Sequence, residues 1–527
     1  MKGVIAAGDP QTAAAGAEIL AQGGNAVDAA VAAAFASFVA EAVLVNIGGG
    51  GVALVVDGSS GQATVYDFFS DMPSGRLAGQ ADFRQVLVDF GAEQQPFYIG
   101  RASVAVPGVV AGLAAMAETR GALPLDRLLR PAVRLAREGV VLSEALAYVL
   151  KILSPIFTDT PPLAAMFTRN GRVYRAGERL CFPALAETLT RLGREGPAQF
   201  YTGAVGQQIV ADQQAHGGLL TARDLAAYRV RQMAPIRLDY RGYTVLLPPP
   251  PSSGGVLIAF ALKLLEAVDL QDLSPTSFEH ARLLAETMRL ANAARKTWET
   301  NVGSDEARVE RFLAEEHLNR YRRELVHSLK RGPSPDRSRA GQRGGPGNTT
   351  HISVVDGQGG VAGVTTSAGE NAGFVVGDSG VCLNNMLGEI DLHPDGFHRL
   401  PPGVRLTTMM SPAIVLRDGR PVLAVGSGGS NRLRSAIVQV ISNALDFQMP
   451  LQQAIDAPRL HFEDGLLQAE GGVPAPVVAE LRRAGYQVNH WPGRNMFFGG
   501  AHAVARQGEG LLAAGDRRRG GSVAVVD

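Results

Sequence analysis

The chain has 527 residues, with 50 Lys+Arg against 50 Asp+Glu, 63 Gly and 46% hydrophobic residues. Zero net charge leaves no basic surface for counterion release, which excludes a nucleic-acid partner. Two cysteines, Cys181 and Cys382, exclude a disulfide framework and a cysteine-built zinc site. Length alone predicts about three to four domains of ordinary size.

Met1-Lys2-Gly3-Val4-Ile5 shows no charged leader ahead of an apolar stretch, so a soluble, cytoplasmic protein is expected. Thr12 to Leu20 is alanine-rich and closes at Gly23-Gly24, which predicts a helix, and a second helix follows over Ala26 to Val45. Its segment Ala29 to Ala40 is the most apolar in the chain but too short to span a bilayer. It reads as a buried helix, and no membrane partner is expected. The run Gly48 to Gly51 leads into a predicted hairpin, Val52 to Val56 and Ala63 to Phe68, turning at Asp57-Gly58. Because the run follows a helix and precedes a strand, it reads as a tight backbone crossing and not as a phosphate loop.

From Pro107 to about Arg229 apolar spacing predicts mostly helix, and Arg237 to Leu247 reads as a strand pair. That pair stops at Pro248-Pro249-Pro250-Pro251-Ser252-Ser253-Gly254-Gly255, ahead of a strong helix. Thr276 and Glu279 form a candidate capping box for a further helix, whose Ala281, Leu284, Met288 and Ala291 share one face. Arg331 to Asn348 is rich in Pro, Gly, Ser and Arg and cannot contribute to a core. Its plain reading is a flexible inter-domain linker.

Beyond it, Thr349 to Asp356 alternates like a half-buried strand, turns at Gly357 to Gly360 and returns over Val361 to Ser367. A third hairpin, Ala413 to Val425, runs into Gly426-Ser427-Gly428-Gly429-Ser430-Asn431 and a helix over Arg432 to Leu445. Hairpins flanked by long apolar helices predict two antiparallel sheets held between helical layers.

No G-x-S-x-G elbow, H-E-x-x-H, Walker loop or dinucleotide fingerprint is present. Thr349 is the notable position, a hydroxyl residue that opens a buried strand directly after a flexible loop. Cutting Asn348–Thr349 would free an α-amine of ordinary pKa about 7.7–8.0, able to act as base for the same residue's hydroxyl. Pattern alone favours the plainer reading, a threonine that merely starts a strand. Gly428-Gly429 could aim backbone N–H groups at an oxyanion, or form only a helix-entry turn capped by Ser430 or Asn431. Glu389 and Asp391 have only His393 as a further ligand type nearby. A solvated loop or recognition of a substrate amine is expected there, with no metal and no cofactor.

Taken together these pieces resemble the γ-glutamyltransferase (glutathione hydrolase) family over nearly the whole chain. The resemblance is carried by Gly23 to Ala30, Gly48 to Gly51, Val106-Pro107-Gly108, Pro249 to Gly255 and Thr349 to Asp356. Leu383-Asn384-Asn385, Met410-Ser411-Pro412 and Gly426 to Arg432 complete it. It implies an α+β fold, a four-layer αββα sandwich of the N-terminal nucleophile hydrolase type. It also implies one precursor that cuts itself into a large subunit, 1–348 with the 331–348 processing loop, and a paired small subunit, 349–527. By the same resemblance, Thr349 attacks the Asn348 carbonyl during processing. The mature threonine then forms an acyl-enzyme with a γ-glutamyl or related amide, resolved by water or an amine acceptor. Gly428 and Gly429 match the oxyanion loop, and Ser367 stands where the family has a supporting threonine.

The substrate positions match less well. Phe69 stands in place of the arginine for the glutamyl α-carboxylate, removing a charge-assisted contact worth roughly 1.5–3 kcal/mol. Thr407-Thr408 replace paired serines, Glu389 replaces the amine-binding aspartate, and Met386 replaces a glutamine. Gly369 stands for an asparagine, with Asn371 the nearest substitute, and Arg76 or Arg84 are candidates to restore a cation. The short Glu389 to Thr407 segment implies a site without a lid. Three readings follow: a γ-glutamyl amidase or transferase, a glutaryl-type acylase favoured by the missing arginine, and a non-catalytic paralogue that binds small molecules. Retention of Thr349, Gly428 and Gly429 together counts against the third.

Overall fold

Alternation along the N-terminal strand sets the plan of the molecule. In β1 (Gly3–Ala7), Ile5 and Ala7 enter one apolar core while Val4 and Ala6 enter another. β2 (Gly50–Val56) repeats this, with Ala53 and Val55 on one side and Val52, Leu54 and Val56 on the other. This is a computed structural model, and it describes residues 1–76, 80–89, 94–300, 303–331, 348–508 and 510–527. The loop expected over 331–348 therefore lies, from 332 to 347, outside the described residues.

The remaining strands of the two large sheets follow in chain order. They are β3 (Ala63–Phe68), β4 (Arg231–Met233), β5 (Ile236–Tyr240), β6 (Tyr243–Leu247), β7 (Thr349–Asp356) and β8 (Val361–Ser367). After them come β9 (Ala413–Arg417), β10 (Arg420–Gly428), β11 (Gly500–Gln507), β12 (Gly510–Ala514) and β13 (Ser522–Val526). A seven-stranded sheet runs β4-β3-β2-β8-β7-β1-β13, and a six-stranded sheet runs β5-β6-β9-β10-β11-β12. Neighbouring strands pair antiparallel throughout both sheets.

Helices α1 (Pro10–Ala21) and α2 (Ala26–Ala40) cover the outer face of the first sheet. Helices α3 (Ser253–Leu265), α4 (Phe278–Thr300) and α5 (Arg432–Leu445) cover the second. The inner faces of the two sheets share one core, so the layers stack αββα and the several domains suggested by length reduce to one unit. No described helix is long and apolar enough to cross a membrane.

α2 is buried along its whole length, as its composition predicted, and alanine lets its neighbours approach closely. Asn25 caps it, accepting from Val27 N and Asp28 N, while the Asp28 carboxylate accepts from Asn25 N and from Ala122 N. The helix stops at Ala40 instead of running to Val45, because Glu41 leaves the axis and its carbonyl closes turns with Leu44 N and Val45 N. α4 is capped by Ser277, whose Oγ accepts from His280 N, and not by Thr276. Strand β1, the strands after Gly500 and a hairpin of Arg84–Asp89 with Gln94–Ile99 went unpredicted.

Candidate active site

Three central strands of the first sheet bring the centre of the site together at their ends. Thr349 opens β7 opposite Ser367 of β8, and Ser367 in turn lies opposite Gly50 of β2. The Asn348–Thr349 bond is continuous here and nearly enclosed, with Asn348 2% and Thr349 5% exposed. Ser367 Oγ donates to the Asn348 carbonyl oxygen at 2.7 Å, and Asn348 Nδ2 donates to Val43 O at 3.2 Å. A donor on that oxygen withdraws electron density from the carbonyl carbon that a neighbouring hydroxyl would attack.

The glycines explain how the backbones meet so closely. A Cβ on Gly49 would lie 2.4 Å from Ser367 O, and one on Gly48 the same distance from Cys382 O. The Gly48 to Gly51 run is thus the tight crossing that the sequence suggested. A Cβ on Gly428 would lie 2.1 Å from Thr349 O, so the β10 terminus runs against the Thr349 backbone. Gly429 has φ of 122°, a conformation that favours glycine. Neither Ser430 nor Asn431 caps α5; Ser430 Oγ instead donates to Asp391 Oδ2 at 2.8 Å.

A cavity opens beside Thr349. Of the positions singled out in the sequence it gathers Asn348, Thr349, Ser367, Phe69, Glu389, Thr407 and Thr408. Gly428 and Gly429 lie behind this lining, next to Ser430 and Asn431 at its surface. Asn371 is not in the wall: its Oδ1 accepts from Gly373 N at 2.9 Å, holding it back. Phe69 is fixed through its backbone, with its N–H on Asp67 Oδ1 and its carbonyl accepting from the Tyr228 hydroxyl. The proline-rich loop backs the threonine wall, with Ser252 bridged to Thr408 and Ser253 itself facing the cavity. Arg84 is engaged by Asp82 and Asp159 outside the cavity lining, and Arg76 is not part of the lining either.

Acidic groups dominate the electrostatics. Burial pushes the Glu389 carboxyl well above the usual range, and the facing Glu370 carboxyl and Asp391 push it further. Glu370 is raised for the same first reason. Glu389 Oε1 is buried and takes no hydrogen bond from the described residues, an arrangement suited to an incoming ammonium group. Asp391 is also raised by burial, against which the Ser430 hydrogen bond acts. His393 is turned away, its Nε2 3.0 Å from Met386 O, and burial lowers it to about 4. Among the described residues no group of three or more His, Cys, Asp or Glu is placed to hold a metal ion.

A second buried carboxyl lies beside the start of β7. Glu41 accepts from Thr350 Oγ1 at 2.6 Å and from Thr12 Oγ1 at 2.8 Å, and burial raises it to about 7. Between the sheets, His351 contacts Thr365 Oγ1 and Ser353 Oγ at 2.8 Å each, and burial keeps it neutral. Sequence reasoning missed Glu370, which adjoins Gly369, and Arg295 of α4, which lines the cavity. The residue after Gly369 was a local clue to the first, whereas no local motif marks Arg295.

Comparison with known proteins places this geometry in context. The model of the family described as Gamma-glutamyltranspeptidase matches residues 12–526. The chain is 34% identical to the acylase ACY 1 proenzyme of Pseudomonas sp. (strain V22), over 99% of this chain and 94% of that one. It is 31% identical to the glutathione hydrolase proenzyme of Escherichia coli (strain K12), over 92% and 86% of the two chains. The solved cephalosporin acylase of Bacillus halodurans superposes with a TM-score of 0.85 at 27% identity, over 99% of this chain and 95% of that one.

Proposed function

Since the chain belongs to the gamma-glutamyltranspeptidase family, we propose that it is a precursor that cuts itself before Thr349 and then works as an N-terminal-threonine amidase. The observation that supports this most is the Ser367 hydrogen bond to the carbonyl oxygen of Asn348, at the mouth of a cavity that Thr349 lines. In processing, Thr349 Oγ adds to the Asn348 carbonyl carbon, the C–N bond breaks and the nitrogen takes the hydroxyl proton. Water then hydrolyses the ester, leaving Asn348 as a carboxylate and Thr349 with a free amine and hydroxyl. In the mature site that amine takes the Oγ proton as Oγ attacks a substrate amide, and returns it to the departing amine. Backbone N–H groups at Gly428 and Gly429 serve the developing oxyanion, and water or an acceptor amine releases the acyl group.

The acyl group is γ-glutamyl or a close relative. Glu389, with its unsatisfied oxygen and its Glu370 partner, supports an acyl group that carries an ammonium. A second reading, a glutaryl-type acylase, is favoured by Phe69 in the cavity wall and by relatives named acylase. Steady-state hydrolysis of γ-glutamyl and glutaryl anilides separates the two. Faster turnover of the γ-glutamyl compound supports the first reading, and the reverse order supports the second. Turnover of neither, by protein that is fully cut, contradicts both.

A further inference from the structure

The geometry points to Arg295 as the residue that receives a substrate carboxylate in this cavity, a specificity role that rests on the amidase reading above. Among the described residues lining the cavity it is the only cationic side chain. It reaches the cavity from α4, far in sequence from Phe69.

Other nearby arginines lie outside the cavity lining. Arg405, bridged in space to Asp71 just beyond Phe69, has a side chain only 2% exposed and paired with Asp67 and Asp71. Arg432 lies over the Phe497 ring and donates from Nε to Phe497 O. Arg84 is held by Asp82 and Asp159. Arg295 is differently placed. Its Nε donates to Glu299 Oε1 at 2.6 Å, one turn along α4, while Nη1 reaches Asn431 Oδ1 only at 3.4 Å. A guanidinium carries five donors in a planar fork. Pinning Nε fixes the plane and leaves the outer edge, formed by the two Nη groups, for a bidentate carboxylate. The side chain is 22% exposed, so a ligand can reach it from solvent.

Within the described lining Arg295 is the point that attracts an anion, with Glu299 and Asp391 beside it. Asp391 lies close enough to feel the Arg295 charge, and Glu389 lines the same wall. A substrate carboxylate is repelled from those acids and drawn to the one cation, while an ammonium prefers the reverse. The cavity thereby fixes the direction in which a charged substrate lies. The carboxylate can belong to the acyl group or to the departing amine, and the chemistry of recognition is the same for both.

Three anilide-type amides distinguish these sources: glutaryl anilide, pentanoyl anilide, and the pentanoyl amide of 4-aminobenzoate. They are assayed with wild type, Arg295→Ala and Arg295→Lys, each checked for folding by its own self-cleavage. In Arg295→Ala the kcat/KM ratio of a carboxylated to the uncharged amide is expected to fall by about 10-fold to 100-fold, mostly through KM. Arg295→Lys should recover part of that loss, because it restores the charge without the fork. A fall for the glutaryl compound assigns the carboxylate to the acyl group, and a fall for the aminobenzoate assigns it to the departing amine. If charged and uncharged amides lose equally in a cleaved Arg295→Ala protein, the inference is overturned while the amidase reading stands. A wild type that neither cuts itself nor turns over any amide overturns both.

Discussion

Thr350 anchors the start of β7, next to Thr349, the proposed nucleophile. Its hydroxyl donates to Glu41, a carboxyl that burial holds at about 7 against an ordinary 4.5. The folded state therefore binds this proton more tightly than the unfolded chain does. The stabilisation is complete below the unfolded value and is lost as pH rises from 4.5 through about 7. Glu41→Gln, which keeps polar partners for Thr12 and Thr350, should gain on wild type across that window, by on the order of 3 kcal/mol at alkaline pH. Urea midpoints of both proteins, measured from acid to mildly alkaline pH, check this; parallel curves would contradict it. Ser367 supports a different prediction. Its hydrogen bond polarises the Asn348 carbonyl, so Ser367→Ala should slow self-cleavage about 100-fold to 1000-fold and Ser367→Thr should largely restore it. Time courses on denaturing gels read both variants, and cleavage of Ser367→Ala at the wild-type rate would remove Ser367 from the mechanism. At this scale the sequence pointed to three residues that line the cavity: Thr349 from a hydroxyl opening a strand, Glu389 from paired acids, and Ser367 from the family resemblance. Glu370 and Arg295 reach this site only through packing of the distant chain segments that carry them.

Among the elements, periodicity located the interiors better than the ends. β7 and β8 follow their predicted spans because alternation ends at a loop on one side and a glycine turn on the other. α2 stops early because a buried hydrogen-bond network captures Glu41, a tertiary event with no sequence signature. β1 and β13 escaped notice because each is a short apolar run whose meaning depends on pairing with a distant strand. The end of β3 is held by such a distant contact too. Arg405 pairs with Asp67 and Asp71 and donates to Arg229 O, tying β3 to the segment that carries Thr407 and Thr408. Arg405→Met leaves two carboxylates in a dry site without their cation and should destabilise the fold by about 3–5 kcal/mol. A urea midpoint equal to that of wild type would show that solvent reaches the pair.

For the whole molecule, the proposed cut falls between strands that share sheets. The seven-stranded sheet takes β1 to β4 from before Asn348 and β7, β8 and β13 from after it. The six-stranded sheet takes β5 and β6 from before and four strands from after. Separating the fragments would expose two sheet interiors, so cleaved protein should elute from a sizing column as one species of the precursor's size, and part only in denaturant. Separate elution under native conditions would contradict that. The αββα order was legible from hairpins set between apolar helices, whereas the interleaving of the two fragments required the strand pairing itself. Everything proposed for the site depends on the bond before Thr349 being broken, so intact mass and N-terminal sequencing of purified protein test it most directly. Wild type should give fragments of residues 1–348 and 349–527, the second beginning at Thr349, and Thr349→Ala should remain whole. A wild type that stays at 527 residues after long incubation, or a Thr349→Ala variant cut at the same bond, would contradict the account.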